Sequence, residues 1–226
     1  MARRLKRERS LTLFESAQRH EHLGRYSFLA VNPSHSLLVR DGVGHIDGKP
    51  AAASPFEILQ HYLSTSPRAN IEGLPPFQDG WAGYISYDYG RHMEPKANIP
   101  AFDPICPDME FHLFDTVIAI DHLEERAWII GDRLAEMEQL LAHQKQALGR
   151  PVKAKFKPKI TQAQHEDNVR RTVEYILAGD IFQSNITQVF EADAGQHFDA
   201  YKLYEQLREN NPAPFATLLD YDDVKI

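Results

Sequence analysis

Apolar and polar positions alternate in short stretches along the first part of the chain, a period of two that predicts strands with one buried face. Leu11-Thr-Leu-Phe-Glu-Ser16, Arg25-Tyr-Ser-Phe-Leu-Ala-Val31 and Ser36-Leu-Leu-Val-Arg40 follow this pattern. The Asp41-Gly42 pair before His45-Ile46 predicts a tight hairpin, because both turn residues tolerate the positive φ that such a turn requires. Ser54-Pro-Phe-Glu57 combines a capping serine, a proline at the first helical position and a glutamate three residues after the cap, which opens a helix running to about Leu63. Gly80-Trp-Ala-Gly-Tyr-Ile-Ser-Tyr-Asp-Tyr-Gly90 predicts an aromatic strand packed in the core. Phe111-His-Leu-Phe114 and Thr116 to Ile120 are further strands, the second paired with Ala127 to Ile130 through a turn at Asp121 to Arg126. A helix is expected from about Arg133 to Leu148, with Leu134, Met137, Leu141 and Leu148 on one face.

The pattern changes past Arg150. Lysines at 153, 155, 157 and 159 alternate along an extended segment whose charges face water. Thr161-Gln-Ala-Gln164 then caps a helix with Val169, Val173, Ile176 and Leu177 on one face and Gly179 as its stop. The following stretch to Phe190 alternates Ile181, Ile186, Val189 and Phe190 with the amides Gln183, Asn185 and Gln188, and is expected to be a buried strand. Buried amides need partners, since an unpaired one costs about 1 to 3 kcal/mol, so these three are candidates for lining a pocket. Asp199 caps another helix, with Tyr201, Tyr204 and Leu207 on a stripe, and Phe215 to Leu219 is again a strand. The fold class is α+β, with antiparallel strands and flanking helices. Three regions follow: 1–150, a basic linker at 151–160, and 161–226.

Composition narrows the functional classes. With 226 residues and 42% hydrophobic content the chain can bury a sizeable core. A net charge of -7 argues against a general nucleic-acid binder, because such proteins concentrate cations against phosphate. The single Cys106 excludes an internal disulfide and suits a reducing, cytoplasmic compartment. No apolar run approaches the ~18 residues of a spanning helix. His20-Glu-His22 is a tight histidine pair in a polar turn, and by itself supplies too few ligands for a metal. The chain has no phosphate-binding loop, dinucleotide fingerprint, zincin motif or nucleophile elbow. No catalytic residue is identified.

Several of these stretches, in order, resemble the chorismate-utilising synthases, the component I chains of anthranilate synthase and aminodeoxychorismate synthase. They are Leu13-Phe-Glu-Ser16 with Arg25 to Pro33, Gly80 to Asp88, Gly179 to Gln188, and Asn211-Pro-Ala-Pro-Phe215. Ser86-Tyr-Asp-Tyr-Gly-Arg91 and Asn211 to Phe215 are closer to the aminodeoxychorismate branch, since the anthranilate branch tends to carry a Pro-Tyr-Met type sequence at the second position. The resemblance implies an antiparallel β-sandwich with flanking helices, chorismate as substrate, ammonia from a glutamine amidotransferase partner (component II), and no nucleic-acid or membrane partner. It implies a buried or inhibitory L-tryptophan held by Ser16, Arg25, Tyr26, Ser27 and Phe28 together with Pro214, Phe215 and Ala216. It also implies Mg2+ for the full-length enzyme. The family's Ser-Pro-Glu strand, its Pro-Ile-x-Gly-Thr segment and its metal-holding glutamates have no match here, so the resemblance implies a fragment, incomplete at the C-terminus, with catalysis by this chain alone not expected. The readings carried forward are component I of aminodeoxychorismate synthase, component I of anthranilate synthase, and a non-catalytic tryptophan-binding module.

Overall fold

The computed structural model describes residues 1–18, 23–65, 70–97, 106–143, 147, 149, 154–195, 198–222 and 224–226. The strands are β1 (Leu11–Glu15), β2 (Tyr26–Ala30), β3 (His35–Arg40), β4 (Val43–Ile46), β5 (Lys49–Pro50), β6 (Gly80–Ile85), β7 (Met109–Phe114), β8 (Thr116–Asp121), β9 (Arg126–Gly131), β10 (Lys157–Pro158), β11 (Phe190–Glu191) and β12 (Ala216–Asp220). The helices are α1 (Ala2–Leu5), α2 (Pro55–Thr65), α3 (Gly90–Met93), α4 (Leu134–Ala142), α5 (Gln162–Ala178) and α6 (Ala200–Asn210). The chain divides into two units, residues 1–148 with 203–226, and residues 149–202.

Two five-stranded antiparallel sheets make up the first unit, in the orders β12-β1-β2-β8-β9 and β5-β4-β3-β7-β6. The fold class read from the sequence, α+β with antiparallel sheets, is the one observed. Its local signals act as their chemistry requires. Asp41 and Gly42 take φ of 48° and 75° and close the β3–β4 hairpin. The Ser54 backbone N–H donates to Glu57 Oε2 at 2.8 Å while Glu57 N–H donates to Ser54 Oγ at 3.4 Å, the reciprocal cap that starts α2. Strands β8 and β9 pair with each other as expected, with Ala119 opposite Trp128.

Alternation then sorts side chains of the described residues into clusters. Leu37, Val39, Met109, Ile58 and Tyr89 bury one face of the second sheet under α2, with Trp81 and Phe111 at its margin. Ala30, Ala82, Phe114 and Val117 form a second cluster joined by Phe14, Phe28 and Phe77, and so link the two sheets through residues of β1, β2, β6, β7 and β8. The basic N-terminal arm works as a clamp: Arg4 donates to the Leu141 carbonyl, Lys6 to that of Ala147 at 2.8 Å, and Arg3 pairs with Glu205 at 2.7 Å. At the C-terminal end of α4, Arg4 thereby satisfies a carbonyl that has no helical partner. Within α4 only part of the expected stripe is buried, since Met137 is buried and Leu134 is exposed.

In the second unit, α5 has the predicted ends. Thr161 and Gln164 form a capping box, and Gly179 takes φ 83°, with its N–H donating to the Ile176 carbonyl and that of Asp180 to Tyr175. The stretch after it corrects the sequence reading. Only Phe190–Glu191 is a strand, paired with Lys157–Pro158, and Ile181, Phe182 and Val189 are exposed. Among the described residues no second strand runs beside 181–189, so the alternation has no sheet to bury against. The apolar face of α5 is likewise open, with Val169, Val173, Ile176 and Leu177 all exposed. The segment 203–226 joins the first unit because β12 pairs with β1. No helix among the described residues is long and apolar enough to cross a membrane.

Candidate functional site

Strand β1 lies between β2 and β12, with Phe14 opposite Phe28 on one side and Glu15 opposite Ala216 on the other. This pairing brings a residue near position 15 beside one near position 215, across two hundred positions of sequence. Past the end of β1, the Ala17 and Gln18 amides donate to the Ala213 carbonyl at 3.0 and 3.1 Å, which fixes the loop before β12 to the loop after β1. Gly24 has φ 73°, and a β-carbon there would stand 2.9 Å from the Gln18 carbonyl and 3.3 Å from the Ser16 side chain. Only glycine fits this close approach and this left-handed conformation.

Between these elements lies a cavity of about 440 Å³, within the usual range for small-molecule sites. Seven of the eight residues expected to hold tryptophan line it: Ser16, Arg25, Tyr26, Phe28, Pro214, Phe215 and Ala216. The eighth, Ser27, does not. Tyr26 and Phe28 share one face of β2 by its period of two, and Ser27 points to the other, where it is 3% exposed. Phe14, Glu15, Leu23, Gly24 and Thr217 complete the wall. Glu15 carried a signal in sequence, since it precedes Ser16 in the quoted motif. Phe14 stands in the same motif, whereas Thr217 follows from register and needed the strand pairing.

The walls are aromatic and the polar groups few. The Tyr26 and Phe28 rings are 6.1 Å apart, and Phe28 meets Phe77 edge to face at 5.6 Å. The Arg25 guanidinium lies 4.9 Å from the Tyr26 ring centre, a cation–π contact. Its Nε and Nη2 donate to Asp121 Oδ2 at 2.9 and 2.5 Å, and Nη2 reaches Glu124 at 3.3 Å. The hydrogen bonds from Arg25, with those from the Leu123 and Glu124 amides, hold the Asp121 carboxyl at about 2, well below its ordinary range. Opposite in sign, Glu15 Oε2 accepts from the Tyr204 hydroxyl and from Arg208 Nε, both at 2.8 Å, tying α6 to the cavity edge.

Other polar residues do not line the cavity. Gln183 and Asn185 belong to the 149–202 unit and are exposed, while Gln188 is half-buried with its Oε1 unpartnered. None of the three lines the cavity. In the second sheet His112 shares hydrogen bonds with Ser36 Oγ at 2.8 Å and Glu110 Oε1 at 3.1 Å, beneath the ring of Tyr221 at 4.4 Å. Burial pushes the Tyr221 hydroxyl up, and its partner is Thr12 Oγ1 at 3.0 Å. This chain of buried groups braces the interior and contributes nothing to the cavity wall. Burial also raises the Cys106 thiol, so it is not an activated nucleophile. The His20-Glu-His22 pair lies outside the described residues. Among the described residues no group of three or more His, Cys, Asp or Glu could hold a metal ion.

Known proteins resemble this chain in sequence and in fold. The chain is 28% identical over 223 residues to aminodeoxychorismate synthase component 1 of Bacillus subtilis, covering 90% of this chain and 47% of that protein. It is 30% identical over 245 residues to anthranilate synthase component 1 of Acinetobacter calcoaceticus, covering 96% of this chain and 48% of the relative. The crystal structure of anthranilate synthase component I from Streptococcus pneumoniae superposes with a TM-score of 0.71 at 25% identity, over 86% of this chain and 49% of that one. The chain thus spans about half the length of these relatives. A profile of the chorismate binding enzyme family matches residues 9–226, and the chain belongs to that family.

Proposed function

We propose that the chain is the amino-acid-binding part of a component I enzyme of the aminodeoxychorismate synthase type, and that its cavity holds L-tryptophan. The reaction is amination of chorismate to 4-amino-4-deoxychorismate, on the route to para-aminobenzoate and folate, with ammonia delivered by a glutamine amidotransferase partner. The observation that carries the tryptophan reading is the convergence of Ser16, Arg25, Tyr26, Phe28, Pro214, Phe215 and Ala216, drawn from two distant segments, on one cavity. Tyr26 and Phe28 offer rings to an indole, with Phe215 at its margin. Arg25 supplies a cation for a carboxylate, and Glu15 and Ser16 supply acceptors for an ammonium.

The aminodeoxychorismate branch is favoured by Ser86 to Arg91 and by Asn211-Pro-Ala-Pro-Phe215. Conversion of chorismate to anthranilate is the second reading, supported by relatives of that name at similar identity. The Mg2+ implied by the family finds no fit among the described residues, which hold no group of three or more His, Cys, Asp or Glu able to take a metal ion. Calorimetry of the chain with L-tryptophan tests the cavity: saturable heat, lost in Phe28→Ala, is expected, and no heat from a folded sample refutes the reading. Product analysis of the whole reading frame with chorismate and ammonium separates the branches. Accumulation of fluorescent anthranilate would refute the assignment to the aminodeoxychorismate branch.

A further inference from the structure

Ser27 lies behind the cavity wall, and its surroundings show what it does there. Its hydroxyl accepts from the Ser16 backbone N–H at 3.0 Å and shares a 2.7 Å hydrogen bond with His122 Nε2. Ser16, one residue past β1, is thereby held from behind while its own hydroxyl donates to the Tyr26 carbonyl at 2.7 Å. His122 is anchored in turn, because its backbone N–H donates to the Arg25 carbonyl at 2.9 Å. The preceding residue, Asp121, grips the Arg25 side chain. Two consecutive residues at the end of β8 therefore hold both Ser16 and Arg25, and neither Asp121 nor His122 lines the cavity.

We infer that His122 is a positioning residue of this cavity, acting through the Ser27 hydroxyl to fix the Ser16 backbone and side chain at its wall. A serine hydroxyl has one proton and two lone pairs, and can turn about its C–O bond. With one lone pair committed to the Ser16 N–H, the imidazole nitrogen fixes the remaining orientation of the hydroxyl. Without the ring, Ser27 turns freely, and the bond that sets the Ser16 backbone competes with other orientations and with water. The inference rests on the reading that the cavity holds tryptophan, and it adds the residues that set the cavity's polar edge. It also explains why Ser27 falls within the motif although its side chain never reaches the ligand space.

The test uses the chain as it stands, with His122→Ala, His122→Gln, Ser27→Ala and the double variant. Loss of one positioned hydrogen bond predicts tryptophan binding weakened about tenfold in His122→Ala and in Ser27→Ala. The double variant should lose no more than either single one, because both changes break the same chain of contacts. Glutamine, whose amide can reach the site of Nε2, should restore binding to within about threefold. Amide hydrogen exchange at Ser16 should quicken in His122→Ala and return in His122→Gln, a readout that a uniform loss of stability would not confine to this residue. Tryptophan bound by His122→Ala as tightly as by wild type, losses that add in the double variant, or a Ser16 amide exchanging at the wild-type rate would each overturn the inference. If wild type itself gives no heat with tryptophan, the reading of the cavity fails, and this inference with it.

Discussion

Substituting Asp121→Asn should destabilise the protein near neutral pH and leave it little changed at about pH 2. The Asp121 side chain is 2% exposed, and its carboxylate accepts four hydrogen bonds: Oδ2 from Arg25 Nε and Nη2, and Oδ1 from the Leu123 and Glu124 amides at 2.9 and 3.1 Å. Its pKa is held at about 2 against an ordinary 3.8, chiefly by the hydrogen bonds from Arg25. Because the folded-state value is depressed, the stabilisation is fully present above the unfolded value and is lost as pH falls through the folded one. A depression of this size corresponds to about 2 kcal/mol. Arg25 is 43% exposed, and water screens the pair, so ~1 kcal/mol is the expected magnitude. Urea unfolding of wild type and variant, followed from neutral pH to about pH 2, measures the gap between them directly and cancels the titration of the other carboxylates. A gap that stays constant across this range would show that Asp121 acts by shape and not by charge.

Four further expectations can be measured on the same footing. Gly131 has φ 135°, and a β-carbon there would lie 2.1 Å from the Asp115 carbonyl oxygen and 2.6 Å from Thr116 Cα; Gly131→Ala should cost upwards of ~2 kcal/mol by urea denaturation. Tyr204→Phe removes one of the two donors to Glu15 Oε2 and should cost ~1 kcal/mol, read as a lowered unfolding midpoint. Met137 is fully buried on α4, which packs on α1 and β9, so Met137→Ala should cost about 2 to 5 kcal/mol, most simply seen by thermal denaturation. Thr161→Ala breaks the capping box of α5 and should cost ~1 kcal/mol, appearing as faster amide exchange in the first turn of that helix.

The sequence made legible whatever depends on neighbours along the chain. Caps at Ser54 and Thr161, the turn at Asp41-Gly42 and the stop at Gly179 rest on backbone needs met within a few residues, and each appears in the structure as read. The stretch after Gly179 failed because alternation only states that one face could be buried. Whether it is buried depends on a partner strand, and the described residues provide one only for Phe190–Glu191. The same limit governs the exposed stripe of α5 and the exposed Leu134 in α4.

The cavity was half legible for a related reason. Motif resemblance named residues from both of its ends, and the β1–β12 pairing explains why segments two hundred positions apart meet. What a motif cannot state is on which face of a strand each of its residues stands. In Arg25-Tyr-Ser-Phe28 the parity of β2 sends Tyr26 and Phe28 into the cavity and Ser27 behind it, onto His122. Phe14 lines the cavity because it stands opposite Phe28 on β1. A strand at a cavity wall thus presents two layers: alternate residues face the cavity, and those between them meet the groups that hold the first set in place. His122 belongs to that second layer, and it became visible only once the register of β2 against β8, Ser27 opposite Ile120, placed the β8–β9 turn beside the back of the cavity wall.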